Sequence, residues 1–157
     1  MRVGIGFDVH RLVRGRPLVL GGVEVPFEMG LEGHSDADVV THAIIDAMLG
    51  AVGAGDLGQH FPDTDPKFKG ISSIDLLREA VVILSERGHR LSNIDAIAVL
   101  ERPKLAPYRQ QMRDIISAAT GLAITNISIK ATTTEGLGLT GRGEGVAAQA
   151  VVLVEEI

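Results

Sequence analysis

The chain has 157 residues, 45% hydrophobic and 22% charged, a length and balance that suit one globular domain and exclude long disorder. Lys and Arg number 15 against 20 Asp and Glu, a formal net charge of −5, which argues against a protein built to coat nucleic acid. There is no Cys, so disulfides and thiolate metal sites are excluded, and aromatics at 3% leave the core to Val, Ile, Leu and Ala.

Alternation across residues 3–8 predicts a strand. Met1-Arg2-Val3-Gly4-Ile5-Gly6 enters it with no apolar leader block, and no apolar run nears the about 20 residues of a membrane span, so a cytoplasmic protein without a membrane partner is expected. Residues 17–26 read as a small hairpin turning at Gly21-Gly22. Ser35 is the expected N-cap of a first helix, with Val39, Val40, Ala43, Ile44, Ala47, Met48 and Ala51 at helical spacing and an end near Gly53. Residues 55–70 are polar and carry Pro, a loop long enough to suggest function. Ser72 or Ser73 opens a second helix with Ile74, Leu77, Val81 and Leu84 on one face, closing at Arg87-Gly88. Residues 94–100 predict a buried strand; a third helix begins near Pro107 and stops at Gly121. Residues 127–131 predict a strand, 132–145 a Thr/Gly-rich loop and 146–155 the last strand. The expected architecture is a single α+β domain over residues 1–157: a four-stranded mixed sheet plus a small hairpin, with helices on one face.

Four constellations carry chemistry. In Asp8-Val9-His10, residues two apart on a strand point the same way, so Asp8 and His10 can share an ion. His42, on a mostly apolar helix, is the third candidate ligand, and Asp38 or Asp46, each four residues from it, is expected to orient its other ring nitrogen. The alternative is a half-buried His packed between carboxylates on a solvated face. Gly33-His34-Ser35-Asp36 lies where a helix N-terminus favours an anion, although capping alone explains Ser35. Thr132, Thr133 and Thr134 leave a strand with hydroxyls suited to phosphate, and Glu135 suits a hard divalent cation. Arg142 with Glu144 is an ion-pair pattern of the surface type. Gly55-Asp56-Leu57-Gly58 and Phe61-Pro62-Asp63-Thr64-Asp65 place carboxylates that can accept sugar hydroxyls, or serve as ordinary turn residues. These residues point to metal-assisted chemistry on a small phosphorylated molecule.

Taken as an ordered set, several segments carry a resemblance across nearly the whole chain. They are Gly6-Phe7-Asp8-Val9-His10, His34-Ser35-Asp36 with Asp38 and His42, Asp56-Leu57-Gly58, Phe61-Pro62-Asp63-Thr64-Asp65-Pro66, Pro103-Lys104, Lys130-Ala131-Thr132-Thr133-Thr134-Glu135, and Thr140-Gly141-Arg142-Gly143-Glu144-Gly145. The chain resembles the 2-C-methyl-D-erythritol 2,4-cyclodiphosphate synthase family of the non-mevalonate isoprenoid pathway. The resemblance implies ring closure: the 2-phosphate of 4-diphosphocytidyl-2-C-methyl-D-erythritol 2-phosphate attacks the β-phosphorus and CMP leaves. It implies zinc on Asp8, His10 and His42, and a second divalent ion, Mg²⁺ or Mn²⁺, on Glu135. His34 and Thr133 are implied to be catalytic, steadying the transition state, with Ser35 on phosphate. Asp56, Leu57, Gly58, Phe61, Pro62, Asp63, Thr64 and Asp65 are implied to surround the methylerythritol. Leu100, Glu101, Arg102, Pro103, Lys104, Leu105 and Ala106, with Ala131, Thr132 and Thr134, are implied to form the cytidine side, and Leu139 and Arg142 to complete the substrate set. A homotrimer with interfacial sites and with sheets facing the threefold axis is also implied, together with an axial cavity at Phe7, Arg142 and Glu144 that accepts isoprenoid diphosphates. Leu139, Glu101 and Arg102 depart from the family pattern. Two other readings are a phosphohydrolase on the same site, giving a linear product, and a non-catalytic binder of isoprenoid diphosphates.

Overall fold

The alternating pattern at the start of the chain continues well beyond residue 8, because Val9 and Arg11 keep facing out while Asp8, His10 and Leu12 keep facing in; β1 spans Arg2–Val13. The computed structural model describes residues 1–157. The hairpin forms as expected, β2 (Leu18–Leu20) against β3 (Val23–Val25), in its own two-stranded sheet. A two-residue strand that the sequence pattern did not flag, β4 (Gly30–Leu31), pairs antiparallel with the end of β1. The main sheet therefore has five strands rather than four. It is completed by β5 (His89–Val99), β6 (Ile127–Thr132) and β7 (Gly145–Glu156), in the order β4-β1-β7-β5-β6. Only β5 and β6 run parallel, so the sheet is mixed as expected.

The first helix, α1 (Val39–Ala51), starts four residues later than the expected cap. Ala37 adopts φ +57, which no helix accommodates, so the cap passes from Ser35 to Asp38. Nearly all of α1 is buried, because the sheet lies under it and the helix α3 (Ser73–Glu86) lies beside it. Ser72 is the cap of α3. The loop expected over residues 55–70 contains a short helix, α2 (Leu57–His60), and a single 3-10 turn at Pro66–Phe68. Asp56 and Asp65 start these by accepting from the backbone N–H of Gln59 and Lys67. A 3-10 turn at Ala106–Tyr108 leads into α4 (Arg109–Thr120), whose stop at Gly121 is left-handed, φ +72. The Thr/Gly-rich loop holds one turn of helix, α5 (Gly138–Gly141). The core, which includes Ile44, Ile45, Met48, Leu77, Leu84, Met112 and Ile116, lies between the helices and the inner sheet face. The outer face of β1 leaves Val3, Ile5 and Phe7 exposed by 67%, 65% and 61%. No helix is long and apolar enough to cross a membrane.

Candidate active site

Two glycines on β1 decide how near α1 can come. The inward positions of the strand run Gly4, Gly6, Asp8 and His10. A Cβ at Gly6 would strike the backbone of Ala43 and Ala47, and one at Gly4 the backbone of Ala47 and Ala51. The helix thus lies directly on the strand, and His42 reaches Asp8 and His10.

Asp8 Oδ2 lies 2.9 Å from His10 Nε2 and 3.0 Å from His42 Nδ1, and the two ring nitrogens are 3.3 Å apart. His42 is buried and the other two are half-buried. The His10 Nδ1–H donates to the Glu32 carbonyl oxygen at 2.7 Å, which turns Nε2 toward its partners. Burial works to raise the Asp8 carboxyl, but hydrogen bonds and charge from His10 and His42 outweigh it and hold the group well below the usual carboxylate range. Burial works to lower His10, but the hydrogen bond to Asp8 and its charge leave the imidazole raised. Two imidazole nitrogens and a carboxylate oxygen within 4.8 Å of one another form a His₂Asp donor set. Such groups converge this closely only with protons or a cation among them, and three ligands with an open fourth side fit a catalytic zinc ion.

The expected orienting carboxylates lie elsewhere. Asp38 is fully buried and accepts from the backbone N–H groups of Gly21, Gly22 and Thr41 and from the Thr41 hydroxyl, tying the hairpin turn to the start of α1. Burial and the neighbouring Asp36 charge raise its carboxyl despite those bonds. Asp46 accepts from the Leu57 N–H at 2.7 Å, and burial likewise raises it. Asp38 and Asp46 therefore anchor backbone, and His42 Nε2 instead faces the Ser73 and Ser35 hydroxyls at 2.8 and 3.3 Å.

The triad opens on a cavity of about 280 Å³ whose wall also includes Gly33, His34, Ser35, Leu57, Phe61, Asp63, Phe68, Ile71 and Leu76. Asp63 makes no hydrogen bond within the chain. Asp56, Gly58, Pro62, Thr64 and Asp65 lie outside this wall, and the carboxylates of Asp56 and Asp65 are engaged as caps. The loop of residues 33–35 is held by Arg16, whose guanidinium donates to the Gly33 and Ser35 carbonyl oxygens at 2.9 and 2.7 Å.

A second cavity, about 330 Å³, is lined by Leu100, Glu101, Pro103, Lys104, Leu105, Ala106, Arg109, Ala131, Thr132 and Thr133. Arg102 lies outside this wall and turns toward Glu28 and the Phe27 ring. Thr134 also turns inward, its hydroxyl bonded to the Leu137 carbonyl and the Thr140 hydroxyl. Glu101 accepts from the N–H groups of Thr134 and Gly136 at 3.1 and 3.3 Å, across the bend where Glu135 sits at φ +54. Glu135 is not part of the triad; its Oε1 accepts from the Thr133 hydroxyl at 3.3 Å. Leu139 and Arg142 are exposed, and Arg142 pairs with Glu144 at 3.0 Å. The two cavities share no lining residue. They open at the same end of the sheet, on strands three spacings apart, about 14 Å. Arg16, Ser73 and Arg109 have no signal in the sequence as site residues; each reads as a turn, cap or surface residue.

The model of the YgbB family matches residues 1–155. A curated 2-C-methyl-D-erythritol 2,4-cyclodiphosphate synthase of Desulfatibacillum aliphaticivorans is 58% identical over 155 residues, 99% of this chain and 100% of that one. The bifunctional IspDF from Campylobacter jejuni superimposes with a TM-score of 0.96 at 44% identity, over 99% of this chain and 42% of that longer one. A solved 2C-methyl-D-erythritol-2,4-cyclodiphosphate synthase in a CDP-bound form gives a TM-score of 0.90 at 42% identity, over 98% of this chain and 100% of that one.

Proposed function

The chain belongs to the YgbB family, and from that membership we propose that it is a 2-C-methyl-D-erythritol 2,4-cyclodiphosphate synthase of isoprenoid precursor biosynthesis. It converts 4-diphosphocytidyl-2-C-methyl-D-erythritol 2-phosphate to the cyclic diphosphate and CMP, acting as a phosphorus–oxygen lyase. The observation that carries the reading is the convergence of Asp8, His10 and His42 on one wall of a cavity whose other residues are fit to hold a small polyol phosphate.

In the reaction an oxygen of the 2-phosphate forms a bond to the β-phosphorus while the bond from that phosphorus to the bridging oxygen breaks. CMP leaves with the electron pair. Two anionic groups must meet in line, so the work is placement and cancellation of charge. Asp8, His10 and His42 would hold zinc and Glu135 a second divalent ion, Mg²⁺ or Mn²⁺; when bound, these supply positive charge to the phosphate oxygens. His34 and the Ser35 hydroxyl stand beside the triad where a phosphate would lie, and the Thr133 hydroxyl donates from the nucleotide side. Asp63, without a partner in the chain, accepts hydroxyls of the methylerythritol. Phe61, Phe68, Ile71 and Leu76 keep that end of the cavity dry. Lys104, Thr132 and the backbone of residues 100–106 receive the cytidine phosphates and base.

A homotrimer in the cytoplasm completes the reading. Val3, Ile5, Phe7 and Val9 project from the outer face of the sheet, and this apolar stripe supports packing against other copies. Association of that kind brings the nucleotide cavity of one copy to the metal cavity of the next. Arg142 and Glu144 neutralise each other in the single chain, so an isoprenoid diphosphate on the axis competes with Glu144 for the guanidinium.

The test is phosphorus NMR of the protein with the cytidine substrate, Zn²⁺ and Mg²⁺, with and without chelator. Chelator-sensitive CMP plus a cyclic diphosphate is expected. A linear product overturns cyclisation in favour of hydrolysis, and no turnover by the metal-loaded protein overturns the enzyme reading.

A further inference from the structure

His42 presents Nδ1 to the metal triad, whereas His10 presents Nε2. An imidazole can ligate through one nitrogen only if its other nitrogen keeps the proton, and something must hold that proton in place. For His10 the holder is the Glu32 carbonyl. For His42 it lies on a different helix, 31 residues further along the chain.

Ser73, the first residue of α3, is fully buried, and its Oγ is 2.8 Å from His42 Nε2. A hydroxyl has one hydrogen to give. Asp36 receives it: the Ser73 hydroxyl donates to Asp36 Oδ1 in a short hydrogen bond, and the Ser73 N–H donates to Asp36 Oδ2 at 3.0 Å. Asp36 is itself held, since its Oδ1 accepts from the Asp38 N–H and its own N–H donates to the Ile71 carbonyl. With its hydrogen committed to a carboxylate, the Ser73 oxygen can only accept from His42. The Ser35 hydroxyl, which accepts from the Ala37 N–H, stands at 3.3 Å from the same nitrogen and adds a weaker acceptor.

We infer that Asp36 and Ser73 form a positioning relay that fixes the proton of His42 on Nε2 and aims Nδ1 at the metal triad. The relay also ties the metal site to the loop that walls the cavity. Ser73 begins α3 directly after residues 62–72, and two backbone bonds, Gly70 N–H to the His34 carbonyl and Asp36 N–H to the Ile71 carbonyl, join the same segments. A change in that loop is thereby felt at His42 through one hydroxyl. Neither residue touches substrate, so their effect is on ligand orientation and basicity. The inference rests on the metal reading of the triad.

The experiment measures the proton and the metal separately. In the zinc-loaded wild-type protein, long-range proton–nitrogen NMR should find the His42 proton on Nε2 and protected from solvent exchange, with the protection lost in Ser73→Ala; binding through Nε2, or an unprotected proton in the wild type, overturns the relay. Zinc affinity is then measured by chelator competition. Ser73→Ala and Asp36→Asn should each bind zinc about 10–100-fold more weakly. The double variant should be no weaker than the worse single variant, because both act through one hydrogen bond. Ser72→Ala removes the neighbouring cap of α3 without touching His42 and should lower stability while leaving zinc affinity unchanged. Folded Ser73→Ala and Asp36→Asn proteins within about twofold of wild-type affinity overturn the proposal. If Ser73→Ala does not fold, the wild-type tautomer and Asp36→Asn decide. A wild-type protein that binds no zinc refutes the metal reading instead.

Discussion

Gly6→Ala sets the packing of β1 on α1 against the geometry of the triad. The added Cβ would stand 2.7 Å from the Ala47 amide nitrogen and closer still to the Ala43 carbonyl oxygen. Ordinary heavy-atom contact is about 3.5 Å, so strand and helix must separate by about 1.5 Å to clear the Ala43 carbonyl oxygen. The obstruction is the backbone of a buried helix, which cannot swing aside as a side-chain tip can. Overpacking of this kind costs about 1–3 kcal/mol, and the rigid obstacle places this case near the upper value. At about 2–4 °C per kcal/mol for a chain of this size, the melting temperature should fall by about 6–12 °C. The same displacement carries His42 away from Asp8, now 3.0 Å distant, and metal ligands tolerate only about 0.2 Å. Zinc affinity should therefore fall along with stability. Gly50→Ala is the matched control on the same helix. Its Cβ would find nothing nearer than the Ile5 carbonyl oxygen at 4.0 Å, so it should gain up to about 1 kcal/mol from helix propensity and leave zinc binding unchanged. Calorimetric melting at fixed protein concentration and chelator competition read both effects. A Gly6→Ala protein that melts within about 1 °C of wild type would refute the argument that these glycines set the approach of α1.

Three further outcomes are expected. In the metal-free chain the Asp8 carboxyl lies below its ordinary 3.8 and the His10 imidazole above its ordinary 6.5. The Asp8 contribution to stability is complete above 3.8 and is lost as pH falls through its depressed folded value; the His10 contribution is complete below 6.5 and is lost as pH rises through its raised folded value. Chelator-treated protein should thus be most stabilised by the pair between those limits, and His10→Ala should flatten the decline on the alkaline side in pH-dependent melting. Glu101→Ala strips the acceptor from the Thr134 and Gly136 N–H groups, so CDP affinity by calorimetry should drop several-fold, with Glu101→Gln restoring most of it because an amide oxygen still accepts. Mixed after subunit exchange, the inactive His42→Ala and Glu135→Gln chains should recover about one quarter of wild-type activity if sites form between copies, since each protomer lends the half the other lacks; no recovery would place the whole site within one chain.

The parts of the molecule legible in the sequence are those set by local spacing. The strand alternation that puts Asp8 and His10 on one side, the α3 cap at Ser72 and the left-handed stop at Gly121 all depend on neighbours within a few residues. His42 was legible as a polar residue in an apolar helix. Its orienting partner was not. Four-residue spacing brings Asp38 and Asp46 near it on paper, but Asp38 is claimed by the Gly21-Gly22 turn and Asp46 by the start of α2. Ser73 wins because α3 packs against α1, a contact between segments 31 residues apart that periodicity cannot reveal. The Ser35 cap gives way for a local reason: the left-handed Ala37 interrupts the turn after Ser35 and delays the helix to Asp38. Glu101 looked like part of a nucleotide wall and also serves as a brace for the bend that presents Glu135.

Charge placement accounts for why a chain of net −5 can handle a phosphorylated substrate. Arg16, whose charge acts on His10, gives two of its donors to the Gly33 and Ser35 carbonyl oxygens, so it shapes the loop more than it meets a ligand. Lys130 is paired with Asp95 and Arg142 with Glu144. Around the triad itself the remaining polar side chains are a carboxylate, an imidazole and a hydroxyl, those of Asp63, His34 and Ser35, and the wall beyond them is apolar. On the proposed reading, positive charge beside the triad arrives with the metal ions, while Lys104 and Arg109 supply it on the nucleotide side. A permanent basic patch would bind substrate and product phosphates alike, and uniform binding lowers KM without raising kcat.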